Sequence, residues 1–113
     1  MPMSTLEKYK SHHRLGVFYH KGLKCVCCGV KGKHLVTSRD KGGNRHVDIY
    51  TGDWTLMTVD HNKPKAEGGD NTIENKQPMC MYCNSIKAAR AIDIKQLRWK
   101  IRRRYLLLII KVW

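Results

Sequence analysis

Alternating apolar and polar residues in the middle of the chain predict a short β-hairpin. The run at 46–50 alternates as a half-buried strand does, and a second run follows at 54–59. The Thr-Gly-Asp segment between them supplies turn residues. We therefore expect two antiparallel strands, with Asp60 and His61 at the end of the second strand.

Helical patterns flank the predicted hairpin on both sides. Ser4 and Glu7 fit a capping box at the start of a basic helix near 4–14, which Gly16 would end. This helix could be a solvated surface element or could contact DNA, and the pattern favours neither. A further helix is expected from about residue 82 to residue 91, on the far side of the hairpin.

The C-terminal part of the chain predicts an amphipathic helix at 93–111. Apolar residues recur there at helical spacing, at Ile94, Leu97, Ile101, Tyr105 and Leu108. The run at 106–110 is apolar on every side, so the domain, a protein partner or a second copy in a homodimer must cover part of it.

Polar segments separate these elements. Residues 31–45 are polar, basic and rich in glycine, which predicts a loop or a loose hairpin. Residues 62–71 form a second loop, in which Gly68 and Gly69 would supply positive φ angles at little cost. One helical turn is expected at 72–75.

The length of the chain indicates how many domains it forms, and its net charge indicates what kind of partner it binds. A chain of 113 residues predicts one small domain spanning 1–113. The 22 Lys and Arg against 9 Asp and Glu give a formal charge of +13, which favours a polyanionic partner: nucleic acid first, a membrane surface second. The candidate DNA contacts are the basic residues of the last predicted helix: Arg98, Arg102, Arg103 and Arg104.

No segment predicts insertion into a membrane or export. The longest apolar run, at 105–110, is too short to span a bilayer. The polar start of the chain lacks the apolar stretch of a signal peptide. We therefore expect an intracellular, cytoplasmic protein.

Four of the five cysteines fall into two pairs, Cys25-x-x-Cys28 and Cys80-x-x-Cys83. Such pairs form disulfides in secreted proteins and bind zinc in intracellular ones. The polar N-terminus favours zinc, and two-residue spacing lets both sulfurs of a pair reach one ion at about 2.3 Å. We expect four thiolates to hold a structural Zn²⁺ with no open position, which leaves Cys27 as the spare thiol; pairing of Cys27 with Cys25 or Cys28 is geometrically poorer.

The stretch at 58–87 concentrates chemically active side chains, with few apolar residues among them. Its notable residues are Val59-Asp60-His61, Pro64, Gly68-Gly69, Asn75, Cys80-x-x-Cys83-Asn84 and Lys87. Together with Cys25-x-x-Cys28, this order of residues resembles the HNH endonucleases over about 23–88. The resemblance implies an α+β fold: a small ββα-metal (His-Me finger) domain with a structural four-cysteine zinc site and flanking helices.

The resemblance also implies roles for single residues. Asp60 and Asn84 would hold the catalytic metal, His61 would be the general base, and Asn75 would orient His61 across the loop. Lys87 would place a positive charge on the phosphate. The motif is His-Asn-Asn where many members have His-Asn-His, and two oxygen ligands favour Mg²⁺ or Mn²⁺.

Each of these residues also has a structural explanation. Asn84 could cap the helix that follows the cysteines, Asn75 could form an ordinary turn, and Lys87 could be a solvated lysine on an exposed helix. Asp-His pairs are also common on protein surfaces, so the assignment depends on the whole set rather than on any one member.

The functional expectation is a metal-dependent endonuclease that hydrolyses DNA phosphodiester bonds, by nicking or by double-strand cleavage. A compact HNH domain without a large specificity module resembles many phage or mobile-element proteins. Two alternatives remain open: a non-catalytic zinc-ribbon module that binds DNA, and an accessory protein of phage packaging or recombination.

Overall fold

The computed structural model describes residues 3–87 and 95–99 of the chain. Residues 95–99 are helical, within the helix expected at 93–111. Arg102, Arg103, Arg104 and the apolar segment after them lie outside the described residues, so the predictions about DNA contacts and a partner surface there stay predictions.

Two short helices form the N-terminal part, where one helix was expected. α1 spans Met3–Leu6, a 3₁₀ turn follows at Glu7–Tyr9, and α2 spans Leu15–Lys21. The predicted end at Gly16 is wrong, because this glycine lies inside α2. A Cβ on Gly16 would lie 2.7 Å from the carbonyl oxygen of Lys10, so only glycine allows the two segments to pack this closely.

Four strands form two separate antiparallel pairs. β1 (Gly32–Arg39) pairs with β2 (Arg45–Thr51), and β3 (Met57–His61) pairs with β4 (Lys76–Cys80). Both strands of the predicted hairpin exist, but the prediction that they form a ladder with each other is wrong. An isolated bridge links Tyr50 of β2 to Leu56, the residue before β3. The segment expected as a loop or loose hairpin at 31–45 supplies β1 and a turn.

The sequence did not predict β4, because Pro78 lies at its centre. Proline cannot donate to a strand ladder and is confined to edge strands. In a two-stranded sheet both strands are edges, and the carbonyl of Pro78 accepts a hydrogen bond from the amide of Val26 at 3.1 Å. This bond attaches the first cysteine pair to β4.

α3 spans Met81–Lys87 and directly follows β4, so that β3, β4 and α3 make up a ββα unit. The helical turn expected before β4 is present as a 3₁₀ turn at Ile73–Asn75. The expected α+β fold is therefore confirmed as a small ββα-metal domain with flanking helices.

The buried core lies between α2, the two sheets and α3. Its largest apolar side chains are Leu6, Leu15, Phe18, Ile49, Met57, Met79 and Leu97. Leu97, which belongs to the predicted apolar stripe, is fully buried against this core. Within 3–87 and 95–99, no helix has the length and apolar content that crossing a membrane would require.

Candidate active site

The four paired cysteines converge on one point. The sulfurs of Cys25, Cys28, Cys80 and Cys83 all lie within 4.8 Å of one another, and Cys27 is outside this set. All five cysteines are free thiols. Four sulfurs at mutual contact match the donor set of a closed tetrahedral zinc site, so the residues present could hold a structural Zn²⁺.

Local backbone geometry aims these sulfurs inward. The amide of Gly29 donates to the carbonyl of Cys25 at 3.1 Å, and Gly29 has a φ angle of 80°, which closes the first knuckle. In the second knuckle the amide of Cys83 donates to the sulfur of Cys80 at 3.5 Å. The second pair spans the junction of β4 and α3, so the cluster fixes that junction.

The crowded thiols share their protons unequally. Hydrogen bonds from Cys27, then from Cys80 and Cys83, lower the pKa of Cys25 far below its usual value. The bond to Cys25 raises the pKa of Cys27 to about 12 and, by the same cause, raises the pKa of Cys80 and Cys83. A divalent cation bound by all four sulfurs would require each of these thiols to lose its proton.

Asp60 is a buried carboxylate held from two directions. It is 7% exposed, and its Oδ2 accepts hydrogen bonds from Gln77 Nε2 at 3.0 Å and from Lys87 Nζ at 2.5 Å. Gln77 is the cross-strand partner of Asp60 in the β3–β4 sheet. Both donors use the same oxygen, so Oδ1 accepts no hydrogen bond from the described residues.

Lys87 lies against Asp60 and away from solvent. Its residue is 1% exposed, and its ammonium also donates to the carbonyl oxygen of His61 at 2.9 Å. This burial excludes the solvated lysine that the sequence left as an alternative, and a role of the Lys87 charge toward a phosphate stays a prediction. In this structure the lysine neutralises Asp60 and attaches α3 to the end of β3.

His61 lies at the end of β3 with its ring held by an amide. Nε2 of His61 is 2.9 Å from Oδ1 of Asn71, an atom that can only accept a hydrogen bond. This contact suits the tautomer with the proton on Nε2, which leaves Nδ1 as the ring nitrogen that accepts. The sequence did not single out Asn71, because nothing distinguishes it from the other asparagines of the loop.

Asn75 joins the two ends of the loop after β3. Its side chain accepts from the amide of Lys63 at 2.9 Å and donates to the carbonyls of Lys63 and Asp70 at 3.1 and 2.8 Å. It does not contact His61 itself. Because Asp70 precedes Asn71, Asn75 acts on His61 through the residue that bonds the ring.

Gly68 and Gly69 are required for different structural reasons. Gly68 has a φ angle of 87°, as expected, but Gly69 does not have a positive φ angle. A Cβ on Gly69 would lie 1.7 Å from the carbonyl oxygen of Lys63, so Gly69 is required by close backbone packing.

Asn84 extends from α3 toward Asp60. Its Nδ2 donates to the hydroxyl of Thr58 at 2.8 Å, and the hydroxyl in turn donates to the carbonyl of Met79 at 2.6 Å. This chain fixes the amide so that Oδ1 of Asn84 accepts no hydrogen bond from the described residues. No fully buried side-chain nitrogen or oxygen in that part of the chain lacks a hydrogen-bond partner.

One cavity of about 280 Å³ brings these groups together. Its wall includes Asp60 and His61 from β3, Asn84 from α3, and Lys65 from the loop. Two unbonded side-chain oxygens beside an oriented imidazole are a donor set that suits Mg²⁺ or Mn²⁺. We refer to this cavity as the catalytic cavity.

Of the predicted DNA-binding arginines, the structure describes Arg98. Its guanidinium donates to the carbonyl of Val26 at 2.7 and 3.2 Å, which attaches the C-terminal helical segment to the first cysteine knuckle. Arg98 is exposed, and its contact with DNA stays a prediction.

A comparison with family models gives one match, to the model described as HNH endonuclease, over residues 25–90. This range covers more than half of the chain and includes the cysteine cluster and the residues of β3, the loop after it and α3 that line the catalytic cavity. Neither the curated proteins nor the solved structures include a significant match.

Proposed function

This chain belongs to the HNH endonuclease family, and from that premise we propose that it is a metal-dependent endonuclease that hydrolyses DNA phosphodiester bonds. The observation that carries the proposal is the catalytic cavity, where Asp60, His61 and Asn84 meet at one surface. The formal charge of +13 supports a polyanionic substrate.

His61 is the general base. With the proton on Nε2 held by Asn71, Nδ1 is left to take a proton from a water molecule. Imidazole is the side chain most often used as a general base in enzymes. Asn71 is a positioning residue, and Asn75 supports it by fixing the adjoining backbone.

Asp60 and Asn84 are the ligands of a divalent ion, each through its unbonded Oδ1. When bound there, Mg²⁺ or Mn²⁺ supplies a positive charge that polarises the phosphodiester and stabilises the leaving oxygen. Gln77 and Lys87 both hold Oδ2, so they fix the carboxylate and leave Oδ1 as the oxygen to which neither of them donates.

Lys65 provides the exposed cation of the cavity. It lines the cavity wall, its side chain is exposed, and its ammonium has no hydrogen-bond partner among the described residues. We assign to Lys65 a contact with a phosphate oxygen of the substrate, because its exposed ammonium is open to an anion.

The test is cleavage of supercoiled plasmid by zinc-loaded protein, with and without added Mg²⁺ or Mn²⁺. We expect metal-dependent conversion to nicked or linear DNA by the wild type, and loss of it in Asp60→Asn, His61→Ala and Asn84→Ala. His34→Ala is the matched control, since this histidine does not line the catalytic cavity. Folded, zinc-loaded wild-type protein that binds plasmid without cutting it would establish a non-catalytic DNA-binding module instead.

A further inference from the structure

A second cavity, of about 490 Å³, adjoins the catalytic cavity and shares His61 and Lys65 with it. We call it the basic groove. One wall is the chain segment 10–14, between the N-terminal 3₁₀ turn and α2, which lies outside the matched range 25–90. Besides His61, its ionisable lining residues are Lys10, His12, His13, Arg14, Lys65 and Lys76. None of the lining residues among 3–87 and 95–99 is acidic.

Two of these cations hold the N-terminal segment in place. Arg14 forms an ion pair with Asp48 at 3.2 Å and donates to the carbonyl of Val47 at 2.7 Å. Lys76 is 7% exposed and donates to the carbonyl of His13 at 2.9 Å. The segment is thus attached to both sheets, and the groove is a built feature of the fold.

His12 contributes a neutral hydrogen-bond donor. Its Nδ1 accepts from the amides of Arg14 and Leu15, both at 3.1 Å, and so caps the start of α2. Burial, and then the charges of His13 and Arg14, lower the pKa of His12. The neutral ring therefore carries its proton on Nε2.

Three other basic residues of the basic groove have side chains that are free to bind a ligand. Lys10, His13 and Lys65 are exposed, and their side-chain nitrogens have no hydrogen-bond partner among residues 3–87 and 95–99. A groove with such donors, no carboxylate and direct continuity with His61 is complementary to a chain of phosphates.

We propose that the basic groove binds the DNA backbone beside the scissile bond, with Lys10, His13 and Lys65 contacting phosphates. This inference rests on the proposed nuclease function and adds the path of the substrate. The N-terminal segment becomes part of the binding site, and contacts to phosphate alone give binding without base specificity.

The test is the salt dependence of binding to a labelled DNA duplex, in buffer without Mg²⁺ or Mn²⁺ and without chelator. Lys10→Ala removes a cation that lines only the basic groove. Each lost phosphate contact makes the decrease of log K with log salt concentration less steep by about 0.9. The affinity near 0.1 M salt should therefore fall by about tenfold. Lys10→Arg keeps the charge and should keep both the affinity and the slope.

Lys41→Ala is the matched control, because it removes the same charge from the turn between β1 and β2 and lines neither cavity. Zinc content and circular dichroism establish that each variant is folded. Two results would refute DNA binding by the basic groove if the wild type still cuts plasmid: Lys10→Ala binds as tightly as the wild type, or it loses no more affinity than Lys41→Ala does. Either result would leave the nuclease function standing. A wild type that neither binds nor cuts DNA would overturn the nuclease function as well.

Discussion

Replacing Lys87 by methionine should destabilise the fold strongly, because it leaves the carboxylate of Asp60 buried without its ammonium partner. The side chains of Lys87 and Asp60 are 1% and 8% exposed, and Nζ and Oδ2 are 2.5 Å apart. Removing one partner of a buried ion pair typically costs about 3–5 kcal/mol. We expect about 3 kcal/mol here, at the lower end, since Gln77 still donates to the carboxylate.

Urea unfolding in zinc-replete buffer measures this cost as a loss in the free energy of unfolding. The comparison is a double-mutant cycle with Asp60→Asn, in which the double variant removes both charges and should lose less than the sum of the single variants. Lys41→Met is the surface control and should stay within about 0.5 kcal/mol of the wild type. A Lys87→Met variant within that same range, or losses that simply add, would refute the argument that the buried pair holds α3 to β3.

Three further changes test other parts of the structure. Gly69→Ala places a methyl group 1.7 Å from the carbonyl of Lys63, so we expect plasmid cleavage to be lost and the loop to shift in an NMR spectrum; unchanged cleavage would contradict the close packing. Cys80→Ser should remove stoichiometric zinc, seen by mass spectrometry under native conditions, and should lower the melting temperature; retained zinc would contradict the four-thiolate site. The hydrogen bond from His46, the largest cause, lowers the pKa of Asp40 to about 2. Since that value lies below the unfolded one, the carboxylate favours the fold at neutral pH, and this contribution is lost as pH falls from about 4 through about 2. His46→Ala should move the NMR titration midpoint of Asp40 up toward about 3.9, and an unmoved midpoint would refute that cause.

The cysteine cluster was predictable because its chemistry is local. Two residues between paired cysteines are enough to bring their sulfurs to one point, and Gly29 marks the turn that this requires. The order of Asp60, His61 and Asn84 in the sequence also resembles the family closely enough to predict that they act together. The structure places all three at one cavity.

Strand pairing was less predictable, because alternation identifies strands and not their partners. The segments now assigned to β2 and β3 alternate equally well, and a turn sequence lies between them. In the structure that connection contains Trp54 at a φ angle of 64°, and each strand pairs elsewhere. β4 was hidden by Pro78, which only an edge position tolerates.

Contacts between distant residues explain what was missed at the site. A lysine on a short helix is usually solvated, and the burial of Lys87 depends on Asp60, which is 27 positions away. Gln77 follows from cross-strand pairing once β4 is known, because it lies directly opposite Asp60. Asn71 has no such signal, since its contact with His61 depends on the path of the whole loop.

Chemical rescue tests the role of His61 most directly. In zinc-loaded protein with Mg²⁺ or Mn²⁺, His61→Gly should cleave supercoiled plasmid about 10²- to 10⁴-fold more slowly than the wild type. Added imidazole, which can occupy the space of the missing ring, should restore a measurable part of that rate, while it leaves Asp60→Asn inactive. Wild-type cleavage by His61→Gly without imidazole, or no cleavage by the folded wild-type protein, would contradict the account.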